Sequence, residues 1–143
     1  MPITISGSNG IFGMPTIIEK VTFNNSTFSP FVAFNVLSQS ILYNTSSSIG
    51  NWTLAIVGDG VTPINDLLGV NQSLTIVHMA TQGNNAYYPS LITIDAIYTP
   101  TIKWQGGVAP LYGNPNGIDV YTYNILKSAS NTYTIFASQT RFA

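Results

Sequence analysis

The sequence predicts an all-β protein, an antiparallel β-sandwich of jelly-roll type with at most one short helix. Three observations predict it. Segments of strand length alternate apolar and polar side chains. Ile, Val, Thr and aromatic residues fill them. Turn residues break them at short intervals. Alternation with period two means one buried and one solvated face, the habit of antiparallel sheets.

Ile3–Ser6 reads as a first strand, closed by Gly7-Ser8-Asn9-Gly10, whose Asn-Gly pair accepts the positive φ of a tight turn. Residues 1–16, with Pro2, Gly7, Gly10, Gly13 and Pro15, read as that strand or as an extended arm for a neighbouring subunit's sheet edge. Residues 17–143 read as one β-sandwich domain. Thr16–Phe23 alternates, and Phe31–Leu37 and Ile41–Tyr43 flank a polar Ser-Gln-Ser break. Trp52–Val57 places Trp52, Leu54 and Ile56 on one face. Thr62, Pro63 and Gly69 mark a short helix as N-cap, first helical residue and terminator, with Ile64, Leu67 and Leu68 turned to the core. Leu74–Ala80 and Leu91–Tyr98 repeat the strand pattern. A short aromatic strand at Ile102–Trp104 precedes a Gly/Pro-rich turn, and Ile118–Leu126 and Thr132–Ala137 close the chain. No heptad, collagen-like tract or internal repeat is visible.

With 143 residues the chain has the size of one domain, large enough for a core without disulfides or metal. Charge is the anomaly. Asp, Glu, Lys and Arg make up 6% of residues, against roughly 25% in ordinary soluble proteins. A surface so near neutrality favours association, so a homo-oligomer is expected. Lys20, Lys103, Lys127 and Arg141 are scattered, which argues against binding nucleic acid. No apolar run reaches the ~20 residues of a membrane helix, and Met1-Pro-Ile-Thr-Ile has no basic leader. Neither membrane insertion nor secretion is expected. Opening on Met1 and holding no shaft-like segment, the chain is expected to be a stand-alone subunit. Cysteine is absent, which removes thiolate and disulfide chemistry.

Candidate chemistry is thin. His78 is the one histidine and falls on a strand face with Leu74 and Ile76, so a core or interface role is expected, with no metal or other cofactor. No Gly-x-Ser-x-Gly elbow holds a serine nucleophile. The carboxylates are Glu19, Asp59, Asp66, Asp95 and Asp119. Asp59 lies in a Gly-Asp-Gly turn, Asp66 in the first turn of the helix, and Asp119 just after Asn116-Gly117, where it caps the turn. Asp95 alternates with Thr93 and Ile97, which places it inward or at a subunit contact. None requires an acid–base role, so no catalytic residue is assigned and a glycan-cleaving function ranks last. Tyr87, Tyr88, Tyr98, Trp104 and Tyr112 fall in or beside turns, which makes them the candidate interface or glycan contacts.

Trp104, Gly106, Gly107 and Pro110 form a Trp-x-Gly-Gly-x-x-Pro turn. Asn116, Ile118, Asp119 and Tyr121 follow as Asn-x-Ile-Asp-x-Tyr, and Ala137, Ser138, Thr140, Phe142 and Ala143 close the chain. Together these resemble a closing module of tailed-phage virion proteins, chiefly tail-fibre and other structural proteins of phages that infect cyanobacteria. The resemblance covers roughly the last third of the chain, with a weaker echo in Leu74–Gly83. It implies a non-enzymatic virion structural protein, made in host cytoplasm and exposed on the outside of the particle. The first expectation is a capsid decoration or cement protein, a homo-oligomer (a trimer from capsid geometry) docked on the major capsid protein. The alternative is a tail or baseplate-associated fibre subunit that recognises host polysaccharide. Trp104, Tyr121 and Phe142 are expected to pack before they recognise anything.

Overall fold

The computed structural model describes residues 18–143; the Ile3–Ser6 strand, its Asn-Gly turn and the 1–16 arm lie outside the described residues. The described chain is all-β: β1 (Val21–Asn24), β2 (Phe31–Asn35), β3 (Ile41–Asn44), β4 (Trp52–Val57), β5 (Ser73–Thr81), β6 (Pro89–Ile94), β7 (Thr101–Trp104), β8 (Ile118–Ala129) and β9 (Thr132–Phe142). A one-turn helix α1 (Ile64–Leu67) and a 3-10 turn (Gln105–Gly107) complete it.

A large sheet has the order β1-β3-β5-β8-β9-β7 and a small one the order β2-β4-β6. The antiparallel expectation is overturned for most of the molecule. β1, β3 and β5 run parallel in the large sheet, β2, β4 and β6 run parallel in the small one, and β7 lies parallel to β9. Only β5–β8 and β8–β9 are antiparallel. From β1 to β6 the chain alternates between sheets, so each pair of strands makes one rung of a short coil. Parallel neighbours cannot be joined by a tight hairpin; from β1 to β6 each crossover runs through a strand of the opposite sheet, while β7 reaches β9 through β8 of their own sheet. Jelly-roll crossings link antiparallel strands, and these parallel pairs do not confirm them. The sequence carried the sign: Leu54-Ala55-Ile56-Val57 and Ile76-Val77-His78-Met79-Ala80 are apolar or aromatic on both faces, a habit of parallel strands.

Rung spacing explains why no repeat is visible. Val21 pairs with Ile41, twenty residues on, but Ile41 pairs with Val77, thirty-six residues on. The excess is the stretch between β4 and β5 that contains α1.

Both sheets contribute to one hydrophobic core, with Trp52, Leu54 and Ile56 from the small sheet and Ile76, Tyr121 and Tyr123 from the large one, all fully buried. Ile64 and Leu68 join it and Leu67 packs against it, as expected of the helix. Its capping differs from expectation. Pro63 is the N-cap residue and makes no side-chain cap. Instead the Ile64 N–H donates to Asp95 Oδ1 at 2.8 Å. At the other end the buried Lys127 donates its Nζ to the carbonyls of Asn65 and Leu68, at 2.6 and 2.8 Å. A four-residue helix lacks the cooperativity to stand alone; side chains from β8 and the end of β6 hold it.

Candidate functional site

The five aromatic candidates scatter around the molecule's surface. Tyr87 and Tyr98 are half-buried and pack against the core. Tyr87 is held through its backbone, its N–H donating to Gln82 Oε1 and its carbonyl accepting from Gln82 Nε2. Tyr98 follows the left-handed residues Asp95 (φ 52°) and Ala96 (φ 61°), which end β6 four residues before the expected limit. Tyr112 is 59% exposed, with the Arg141 guanidinium 4.4 Å from its ring centroid, a cation–π contact.

Tyr88 and Trp104 are the pair that the fold brings together. They line one cleft of ≈ 310 Å³ with Leu91, Ile102, Pro110 and Leu111. Trp104 sits at the end of β7 with its ring edge-on to Tyr123, centroids 6.3 Å apart. The same ring borders a second cleft with Gln105, Val108 and Gln139, and a third with Lys103, Thr122 and Phe136. Left-handed Gly106 (φ 77°) and Gly107 (φ 79°) turn the chain sharply after it, a conformation costly for residues with a Cβ. Trp104 therefore meets solvent clefts on several sides while its edge rests on the core. The packing role expected of Tyr121 is what its full burial provides, whereas Phe142 is 52% exposed. Its position on β9 next to Ile118 turns it to the outer face of the sheet.

Behind the clefts lies a polar knot that sequence reading missed. Asp119 is fully buried. Its Oδ2 accepts from Gln82 Nε2 and the Asn114 N–H, both at 2.9 Å, and its Oδ1 accepts from Gln139 Nε2 at 3.0 Å. Gln82 Oε1 accepts in turn from Ser48 Oγ at 2.6 Å. Asp119 does serve its local turn, as expected, but it also ties β5, β8, β9 and the loop around Asn114 together. Its partners lie at residues 82, 114 and 139, so no local motif announces them.

His78 occupies a different setting. It is fully buried, stacks with Tyr121, and meets Phe28 and Trp52 edge-on. One ring nitrogen, Nε2, lies 2.8 Å from Asn44 Oδ1, while Nδ1 has no partner. Burial pushes its pKa down to about 3, so the ring is neutral. Burial also pushes the Tyr121 and Tyr123 hydroxyls up.

The remaining carboxylates have local duties. Asp59 accepts from the Thr62 and Val61 N–H groups, which hold its carboxyl below the usual range. Asp95 lies just past the end of β6 and caps α1. Among the described residues no three His, Asp or Glu side chains form a metal-holding group. No helix of the described residues is long and apolar enough to cross a membrane.

The other surface of note is the outer face of the large sheet. Register places Phe23, Tyr43, Met79, Val120 and Thr140 in one row across five strands. Val21, Ile41, Val77, Thr122 and Ser138 form the neighbouring row. Phe23 is 69% exposed, and its ring lies 5.7 Å from that of Tyr43. Lys103 is the one charged residue among the outward positions of these six strands. The β1, β3 and β5 side of these rows is apolar and partly exposed, whereas Thr122, Ser138 and Thr140 make the β8–β9 side more polar; large exposed apolar patches are uncommon on monomeric proteins.

Comparison with known protein families, curated proteins and solved structures finds no match.

Proposed function

We propose that this chain is a non-enzymatic structural subunit of a tailed-phage virion, most simply a decoration protein that docks on the outer capsid as a homo-oligomer. The observation that carries the proposal is the outer face of the large sheet, almost free of charge and apolar over β1, β3 and the end of β5. Such a face suits a surface that is covered in the assembled state, and contacts of this kind survive salt that would screen ion pairs. A multiply bonded Asp119 knot and a helix capped from distant strands fit a rigid building block. We read the two sheets as the layers of a broad β-sandwich, with parallel rungs in place of jelly-roll crossings. The test is copy number: stained gels or quantitative mass spectrometry of purified virions give hundreds of copies per particle for a decoration protein. Absence of the chain from purified particles sinks the virion reading.

A second reading, a tail or baseplate subunit that binds host polysaccharide, draws on Trp104. An aromatic ring bordered by clefts and by the amides of Gln105 and Gln139 is a surface on which a sugar ring can stack. That reading expects about a dozen copies per particle. It also expects glycan-array signals that fall at least tenfold in Trp104→Ala and Tyr88→Ala; unchanged binding in both removes this cleft from any sugar site.

A further inference from the structure

We propose that the outer face of the large sheet is a two-fold interface, covered by the same face of a second copy of this chain. The inference rests on the self-associating part of the reading above and adds which surface does it and by what symmetry. Isologous contacts require a patch that is complementary to itself, and the register of this sheet supplies one. In the Phe23–Tyr43–Met79–Val120–Thr140 row the middle strand is β5. A two-fold axis running along β5 lays each row over itself in reverse strand order. Met79 then faces its own copy, Tyr43 faces Val120, and Phe23 faces Thr140. In the neighbouring row Ile41 faces Thr122, and Val21 faces Ser138. In these two rows bulky side chains cluster on β1 and β3, and smaller ones on β8 and β9; Ile118 and Phe142 lie one row beyond the ends of β1 and β3. Large meets small across the seam, which is how inner faces interdigitate when sheets stack about 10 Å apart.

Charge agrees with a second copy. β7, which carries Lys103, lies three strands from β5, whereas β1 lies two strands away on the other side. The single charge of the face therefore falls outside the overlap, and no like charges meet when the face contacts itself. With strands ~4.8 Å apart and residues ~3.3 Å apart, the stretches of β1, β3, β5, β8 and β9 that overlap present a flat face of roughly 400 Å² before side-chain relief. That is about half of the ~800 Å² per partner of a standard stable interface, so the dimer is a small one.

The test is sedimentation velocity on the full chain at micromolar concentration in low and high salt, with folding checked by circular dichroism. Wild type and Leu111→Lys, which alters an exposed side chain away from the face, are expected to be dimers in both salts. Met79→Lys and Val120→Lys place two unpaired charges in the seam and are expected to raise the dissociation constant roughly a hundredfold. If either fails to fold, Phe23→Lys replaces it, because that residue is exposed and changes no core contact. The chain has no cysteine, so Met79→Cys supplies a lone thiol on the proposed axis. A short bismaleimide is expected to link it to its own copy, and to leave Leu111→Cys unlinked. Oligomers untouched by every face variant, or cross-linking at position 111 in preference to 79, overturn the assignment while leaving self-association standing. A wild-type monomer under all conditions overturns both.

Discussion

His78 and Ala80 of β5 pair with Tyr121 and Asp119 of β8, so the two buried polar clusters of this molecule are close neighbours built in opposite ways. Around Asp119 both carboxylate oxygens are bonded, and the donors come from three separate parts of the chain. Around His78 one hydrogen bond, to Asn44, is joined by three buried groups without partners: His78 Nδ1, Asn44 Nδ2 and Trp52 Nε1. The first cluster stands at the end of the ladder, where the chain leaving β5 and the loop entering β8 need tying down. The second stands inside the rungs, where aromatic rings already fix each side chain by packing. Buried polarity here follows the need to hold loops, with bonds where ladders are missing and shape where they are present.

Asp119→Leu breaks the first cluster most directly. It removes the acceptor shared by the Asn114 N–H and two side-chain amides, of which Gln82 keeps the Tyr87 carbonyl and Gln139 keeps the Tyr112 carbonyl, and is expected to cost about 3 kcal/mol in denaturant unfolding. A cost under about 1 kcal/mol would show that the knot is decoration. Gly113→Ala attacks the same cluster sterically, since a Cβ there would lie 2.5 Å from the Tyr87 carbonyl, 2.6 Å from Gln82 Nε2 and 2.7 Å from Asp119 Oδ2. We expect a loss of up to about 3 kcal/mol, against about 1 kcal/mol at Gly60, around which nothing lies within 4 Å and where only the positive φ matters.

The second cluster is tested by pH. His78 has a folded-state pKa of about 3, below its ordinary 6.5, so the unfolded chain binds the proton first. Its contribution is complete above pH 6.5 and is lost as pH falls towards 3, amounting to about 2 kcal/mol between pH 7 and pH 5. In His78→Leu that portion of the pH dependence is expected to vanish, whereas Asp119→Leu keeps it. The smallest effect belongs to the surface: Tyr112→Ala removes an exposed ring and its Arg141 contact, and is expected to change stability by about 0.5 kcal/mol.

What could be read in the sequence followed from local pattern. Trp52–Val57 is a strand over the expected residues, and the closing β8–β9 hairpin forms where alternation marked it. Ile64 and Leu68 reach the core as the helix pattern implied. Pairing was not legible, because whether Val21 sits beside Ile41 in parallel depends on a crossover through β2 that no single segment encodes. The stretch containing α1 then stretched the next interval and hid the rungs. Among the candidate contacts, Tyr88 and Trp104 share a cleft because β6 and the 105–111 turn meet there, a long-range fact. Asp95 looked like a strand residue because Leu91–Tyr98 alternates; two successive left-handed residues, Asp95 and Ala96, stop the strand instead.

The placement of β9 has a consequence for synthesis. Its pairs are β8 on one side and, at Thr134–Ala137, β7 on the other. On a ribosome β5 emerges long before β8, and β7 before β9, so both wait with open edges. The rungs from β1 to β6 can begin to coil during translation, but the large sheet stays unfinished until residues 132–142 have left the exit tunnel. A chain halted before Thr132 would carry β7 and β8 as unpaired edges, a state prone to cross-chain pairing and to capture by chaperones or proteases. Completion of the fold is thereby coupled to completion of this hairpin, and the nascent chain reads out its own progress through the order of its strands.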